Sequence, residues 1–246
     1  MARSVVLFSI DGLRADGLQQ AVTPHIGQLI KAGAHTYAAR SVMPSVTLPC
    51  HTSMFRGVTP ERHGITTNTF TPQVRPVPSI IDTAHRAGKK TASFYNWEQL
   101  RDLSDPGSLN ISYFVNNCYE ADGDLELAEA AFAHLRGAEV DFAFVYLGHT
   151  DIAGHDHGWM SAPYLEAIGR ADRAIGWVLE AIDLEQTTCI VTSDHGGHGQ
   201  SHGTDMDEDM AITLGHLRRR RAADNKNRAG SEHYRQSAHR RGAAGV

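Results

Sequence analysis

The chain has 246 residues, 41% apolar and 21% charged, enough for one sizeable α/β domain and outside the range where disorder is the default. No stretch approaches the roughly 20 apolar residues that a membrane span needs, so no membrane partner is expected. The net charge of −5 is uneven: Leu217 to Val246 holds nine Arg and Lys against two Asp and Glu, leaving that segment at +7 and the remainder at −12.

Met1-Ala-Arg-Ser runs directly into VVLFSID, with no apolar leader or small-residue cleavage site. Val5 to Ser9 is an apolar run ending at Asp11-Gly12, the pattern of a buried parallel strand. Residues 25–33 follow Thr23-Pro24 and stop at Gly33, which predicts a helix, and a second helix is predicted over 79–88. A helix start is also expected near Thr47, running to about Phe55. Strands are predicted over Thr91–Tyr95, Asp141–Leu147 and Thr187–Ser193, with helices over Asp124–Arg136 and Ala162–Ile182. This alternation predicts a mostly parallel sheet with helices on both faces. Residues 60–120, with five prolines, are the least regular and are expected to carry loops of a substrate rim.

Asp11, Asp151 and Asp194 each follow a predicted strand, and ligands of open parallel sheets gather beyond the strands' carboxyl ends. The histidines are clustered: His149, His155 and His157 in GHTDIAGHDHG, and His195, His198 and His202 in SDHGGHGQSHGT. Their glycines suit loops that bend closely around an ion. A mixed carboxylate and imidazole set favours zinc, manganese or iron, whereas magnesium prefers oxygen ligands. Each histidine taken singly is more simply a surface or hydrogen-bonded group. Two clusters after two apolar strands point instead to a metal site.

The segments LFSIDGLRADGL, TPHIGQLIKAGA, SVMPSVTLPCHTSMFRGVTPERHGI, LGHTDIAGHDHG, SDHGGHG and HGTDMDEDM occur in this order from residue 7 to about residue 212. In these segments the chain resembles the alkaline phosphatase superfamily, and within it the type I phosphodiesterase/nucleotide pyrophosphatase branch. The resemblance implies a metal-dependent phosphoric ester hydrolase of alkaline-phosphatase-like α/β fold with two divalent ions, zinc or alternatively manganese. One ion is implied to be bound by Asp11, Asp194 and His195, the other by Asp151, His155 and His202. Thr47 is the implied nucleophile, forming a phosphothreonine intermediate on a small phosphate-ester substrate. As a bare sequence position, Thr47 would read as a helix N-cap.

His51, His63, His149, His157 and His198 do not match the implied ligand positions and are expected to pack, cap or orient. The branch usually has Asn three residues after its nucleophile, implied to donate to a phosphate oxygen. Here Cys50, a weaker donor, stands there, which leaves a phosphomonoester or phosphonate substrate as the alternative. A sulfatase would need a C/S-x-P/A-x-R pattern, and Cys50-His51-Thr52-Ser53-Met54 has neither the proline nor the arginine. Cofactor-independent phosphoglycerate mutases share the HGT-x(3)-EDM ending but carry an inserted domain, for which this length leaves little space. After EDM, Ala211-Ile212-Thr213-Leu214 gives way to Gly215-His216-Leu217 and four arginines. The expectation is therefore a domain over 1–216 with a truncated or divergent C-terminal part, an uncovered sheet edge, and a basic solvated tail over 217–246 rather than a nucleic-acid contact. A catalytically impaired metal binder is the alternative this ending raises. Cys50, Cys118 and Cys189, sparse and odd in number, predict a reducing, cytoplasmic setting.

Overall fold

A computed structural model describes residues 4–217, so the tail expected over 217–246 lies outside the described residues except for Leu217. The sheet has seven strands: β1 (Ser4–Ile10), β2 (Ala34–Arg40), β3 (Thr91–Tyr95), β4 (Ile111–Phe114), β5 (Phe142–Leu147), β6 (Thr187–Thr192) and β7 (Ala211–Leu217). Their order is β2-β7-β6-β1-β5-β3-β4, and β7 alone runs antiparallel to its neighbours. The helices are α1 (Ala15–Gln20), α2 (Pro24–Ala32), α3 (Thr47–Arg56), α4 (Pro60–His63), α5 (Ile80–Arg86), α6 (Gly123–Leu135), α7 (His149–His157), α8 (Ala162–Glu180) and α9 (Asp207–Met210).

The buried strands alternate between two cores. On β5, Ala143, Val145 and Leu147 face a core shared with Leu127, Tyr164, Ile168 and Ile175 of α6 and α8. Phe142, Phe144 and Tyr146 face the opposite core with Leu48 and Phe55 of α3 and Ile81 of α5. A strand with apolar residues on both faces must be covered twice, so the continuous apolar runs of the sequence become the sheet's centre. Asp172 of α8, fully buried, accepts the N–H groups of His25 (3.2 Å) and Ile26 (2.7 Å), capping the start of α2 from another helix.

Four expectations are corrected. GHTDIAGHDHG is the helix α7 rather than a loop. Besides the expected α5 and β3, residues 60–120 hold α4, a 3₁₀ turn at Glu98–Leu103 and β4. Thr47 is the first residue of α3, preceded by the extended N-cap Val46, so it is not itself the cap. The segment after EDM continues as β7 through Leu217 and lies inside the sheet, between β2 and β6; the edges are β2 and β4. Among the described residues no helix is long and apolar enough to cross a membrane. All three cysteines are buried free thiols.

Candidate metal and phosphoester site

β1, β5 and β6 are adjacent, so the residues just past their carboxyl ends converge on one edge. Asp11 follows β1, Asp194 follows β6 after one residue, and Gly148 leads β5 into α7, whose first turn carries Asp151. Gly12 makes the approach possible: it has φ of 65°, and a Cβ there would lie 2.9 Å from Asp151 Oδ1. Its N–H donates to Asp194 Oδ1 at 3.2 Å.

Two compact groups result, Asp11–Asp194–His195 and Asp151–His195–His202, with His195 common to both. His195 Nε2 lies 3.3 Å from Asp11 Oδ1 and 3.4 Å from Asp194 Oδ2. Asp151 Oδ1 is 3.7 Å from His202 Nε2, and its Oδ2 is 3.4 Å from His155 Nε2. His155 thus reaches Asp151 but stands outside both compact groups, exposed at the rim. Thr47 Oγ1, buried, sits 3.2 Å from His195 Nε2.

The donor set fits divalent ions. His155, His195 and His202 each donate Nδ1–H to a backbone carbonyl, of Gln200 (3.0 Å), Gly196 (2.8 Å) and Ser45 (2.8 Å). A carbonyl only accepts, so each ring in its neutral form turns its Nε2 lone pair to the site, as metal-ligating histidines do. Asp11 Oδ1, Asp151 Oδ1 and Asp194 Oδ2 are buried with no hydrogen-bond partner. Burial, and then repulsion among these carboxylates, lifts Asp11 well above the usual carboxylate range and Asp194 to about 7. Burial, reinforced by the neighbouring His195, lowers His202 to about 4. The Asp151 carboxylate raises His155 at the rim to about 9. Buried carboxylate oxygens without a partner are costly without a cation among them and favourable with one.

The surrounding shell was not visible as motifs. Tyr146 donates its hydroxyl to Asp11 Oδ2. Trp159 donates Nε1–H to Gly12 O at 2.9 Å and packs edge-on to the rings of His155 and His202. Tyr164 bonds the same carbonyl at 2.8 Å. Asn68, exposed, accepts the N–H of Leu48 at 3.0 Å, which puts its amide at the start of α3 beside Thr47. Asp209 accepts from His198 (2.7 Å) and from the N–H and hydroxyl of Thr204 (both 2.8 Å), which ties EDM to HGT and gives His198 a structural partner.

His51 is fully buried: its Nε2 meets Ser9 Oγ and its Nδ1 meets Thr47 O, both at 2.9 Å, and burial lowers it to about 3. His63 pairs with Ser53, and His149 with Cys118 O. His157 is exposed at the end of α7. The expected part for Cys50 is not what the structure shows. Its thiol takes the Ser41 hydroxyl at 3.1 Å and is directed at the carbonyls of Pro44 (3.6 Å) and Val42 (3.9 Å), so its one proton is used internally.

Human ectonucleotide pyrophosphatase/phosphodiesterase family member 1 is 29% identical over 222 residues, covering 78% of this chain and 23% of that protein. The chain therefore spans about a quarter of the length of the curated relatives it matches. Among solved structures, a 2-O GAG sulfatase superposes with a TM-score of 0.68 at 14% identity, over 89% of this chain and 65% of that one. Murine ectonucleotide pyrophosphatase/phosphodiesterase 5, an inactive threonine-to-alanine variant in complex with AMP, gives 0.66 at 24% identity, over 79% of this chain and 57% of that one. These likenesses show an alkaline-phosphatase-like α/β fold. The model of the type I phosphodiesterase / nucleotide pyrophosphatase family matches residues 5–242, and the chain belongs to that family.

Proposed function

We propose that the chain is a metal-dependent phosphoric ester hydrolase of the phosphodiesterase/nucleotide pyrophosphatase type, with Thr47 as nucleophile. The observation that carries this reading is the buried Thr47 hydroxyl 3.2 Å from His195, beside three carboxylate oxygens that have no partner. Zinc or manganese ions, held by Asp11, Asp194 and His195 and by Asp151, His202 and the rim ligand His155, would supply Lewis-acid charge for a transferring phosphoryl group.

The chain's own groups account for the rest. Thr47 sits at the N-terminus of α3, where the helix's positive end favours a phosphoryl oxygen. Its Oγ gives up its proton and forms the bond to phosphorus as the ester's leaving oxygen departs and takes up a proton. Water then cleaves the phosphothreonine, its hydroxyl going to phosphorus and its proton to Thr47. Asn68 accepts from Leu48 through its oxygen, so its two N–H groups are the proposed donors to a phosphoryl oxygen, while the Cys50 proton is directed at carbonyls. A nucleotide-type diester or pyrophosphate is the proposed substrate class, since the relative solved with AMP shares this fold. The three buried thiols support a reducing, cytoplasmic setting as the proposed location.

The test is a panel of nitrophenyl phosphate diester, monoester and phosphonate substrates in zinc and in manganese, with Thr47→Ala beside the parent. About two equivalents of metal and a diester rate that drops on the order of 10³-fold in Thr47→Ala support the reading. Bound metal without turnover on any substrate would leave an impaired metal binder instead. Preference for the monoester or phosphonate would shift the substrate class only.

A further inference from the structure

Helix α7 has an unusual reason to be a helix. HTDIAGHDH shows no apolar stripe, and its N-cap Gly148 has no side chain to satisfy the first-turn N–H groups. Asp124, in the first turn of α6 and 1% exposed, satisfies those of the N-cap and of the first helical residue instead. It accepts the N–H of Gly148 at 2.9 Å and that of His149 at 3.3 Å, while Asn96 Nδ2 donates to it at 2.8 Å. The carboxylate thus lies between two helix N-termini, the positive ends of α6 and α7.

The seat is tight. A Cβ on Gly148 would meet Cys118 Cβ and the Tyr146 ring at 2.9 Å and Asn96 Oδ1 at 3.0 Å. Tyr146 is the residue that bonds Asp11, so the start of α7 is registered against the other half of the site. Two residues beyond His149 comes Asp151, and one turn later His155, on the same face of the helix. A shift of the first turn of α7 moves both.

We propose that Asp124 is a positioning residue: by capping α7 it sets Asp151 and His155 for the second metal ion and leaves the Asp11–Asp194–His195 group untouched. The proposal rests on the two-ion reading above. It predicts a selective effect, which a general loss of stability would not produce.

The experiment titrates zinc into the metal-free full chain by calorimetry, for the parent, Asp124→Asn and Asn96→Ala, with thermal unfolding recorded in parallel. Asp124→Asn is expected to weaken one of two zinc sites by about 10–100-fold, with the other unchanged. Asn96→Ala, which removes one donor and leaves the cap, is expected to weaken the same site less, and it decides the question if Asp124→Asn does not fold. Two zinc sites of parent affinity in the folded variants, with only the melting temperature lowered, would show a plain structural cap and overturn the proposal. Equal weakening of both sites would overturn it too. A parent chain that binds fewer than two zinc ions removes the centre itself, a failure visible before any substitution is compared.

Discussion

Cys50 and Asn68 sit on the same side of Thr47 in the chain, and their hydrogen bonds assign them opposite parts. The Cys50 thiol is 4% exposed, its proton is directed at carbonyls, and burial lifts its pKa to about 12, so it is a packed thiol rather than a donor to substrate. Asn68 is exposed and holds its amide against the first turn of α3. Asn68→Ala is therefore expected to lower kcat/KM for a diester by about 10²-fold, as loss of one oxyanion donor does. Cys50→Ser is expected to leave it within a few-fold, and steady-state kinetics on both variants measure the contrast. A larger loss in Cys50→Ser than in Asn68→Ala would reverse the assignment. The same pair shows what could be read from residues alone. Asp11 and Asp194 announce themselves by following apolar strands, and His195 stands next to Asp194. Asn68, Tyr146, Trp159 and Asp124 act through partners 20, 135, 147 and 24 residues away, and no local spacing encodes those contacts.

Helix ends are where local chemistry decides an element, and α5 has the most complete cap. Ser79 Oγ accepts the N–H of Asp82 at 3.1 Å and Asp82 Oδ2 accepts that of Ser79 at 2.8 Å, a reciprocal capping box. Asp82 Oδ1 also takes the N–H of Asp105 at 2.8 Å. Burial pushes the Asp82 carboxyl up, but the N–H groups of Ser79 and Asp105 and the Ser79 hydroxyl outweigh it, and the net shift is downward. A carboxylate lowered on folding stabilises the protein above its unfolded value, about 3.9, and loses that contribution as pH falls through its folded value. Asp82→Asn is thus expected to cost roughly 1–3 kcal/mol at pH 7, with the gap to the parent closing below about pH 4. Urea unfolding at both pH values measures it; a gap independent of pH would mean that the charge does not contribute. Elements with a period or a cap were legible: β3 matches residue for residue, and α2, α6, α8, β5 and β6 lie within one or two residues of expectation. The edge strand β2, AHTYAAR, is largely exposed and carries little apolar signal, and β4 is four residues long. Helix α7 reads as a loop in the sequence because its stabilising acceptor, Asp124, belongs to α6.

Across the whole molecule, the carboxyl ends of β1, β5 and β6 gather buried carboxylates that are unfavourable without metal. Asp11, Asp151 and Asp194 come from three segments that the fold forces together, and each keeps a buried oxygen without a partner. Such a centre trades stability for function, since the packing that makes it also concentrates like charge. Metal binding to the folded state alone would reverse the balance, adding about 2.7 kcal/mol per occupied site when free metal is 100 times Kd. Asp194→Asn separates the two effects. Its oxygen can still accept the Gly12 N–H, and its amide nitrogen would stand where Asp194 Oδ2 now lies 3.4 Å from His195 Nε2, donating where a carboxylate repels. In chelator the variant is expected to be more stable than the parent by about 1 kcal/mol, the scale of one buried hydrogen bond. In excess zinc the order is expected to invert, because the variant gains less from the metal. Urea unfolding in the two conditions measures both signs. A variant less stable than the parent in chelator would show that the carboxylates are held by packing that the charge does not oppose.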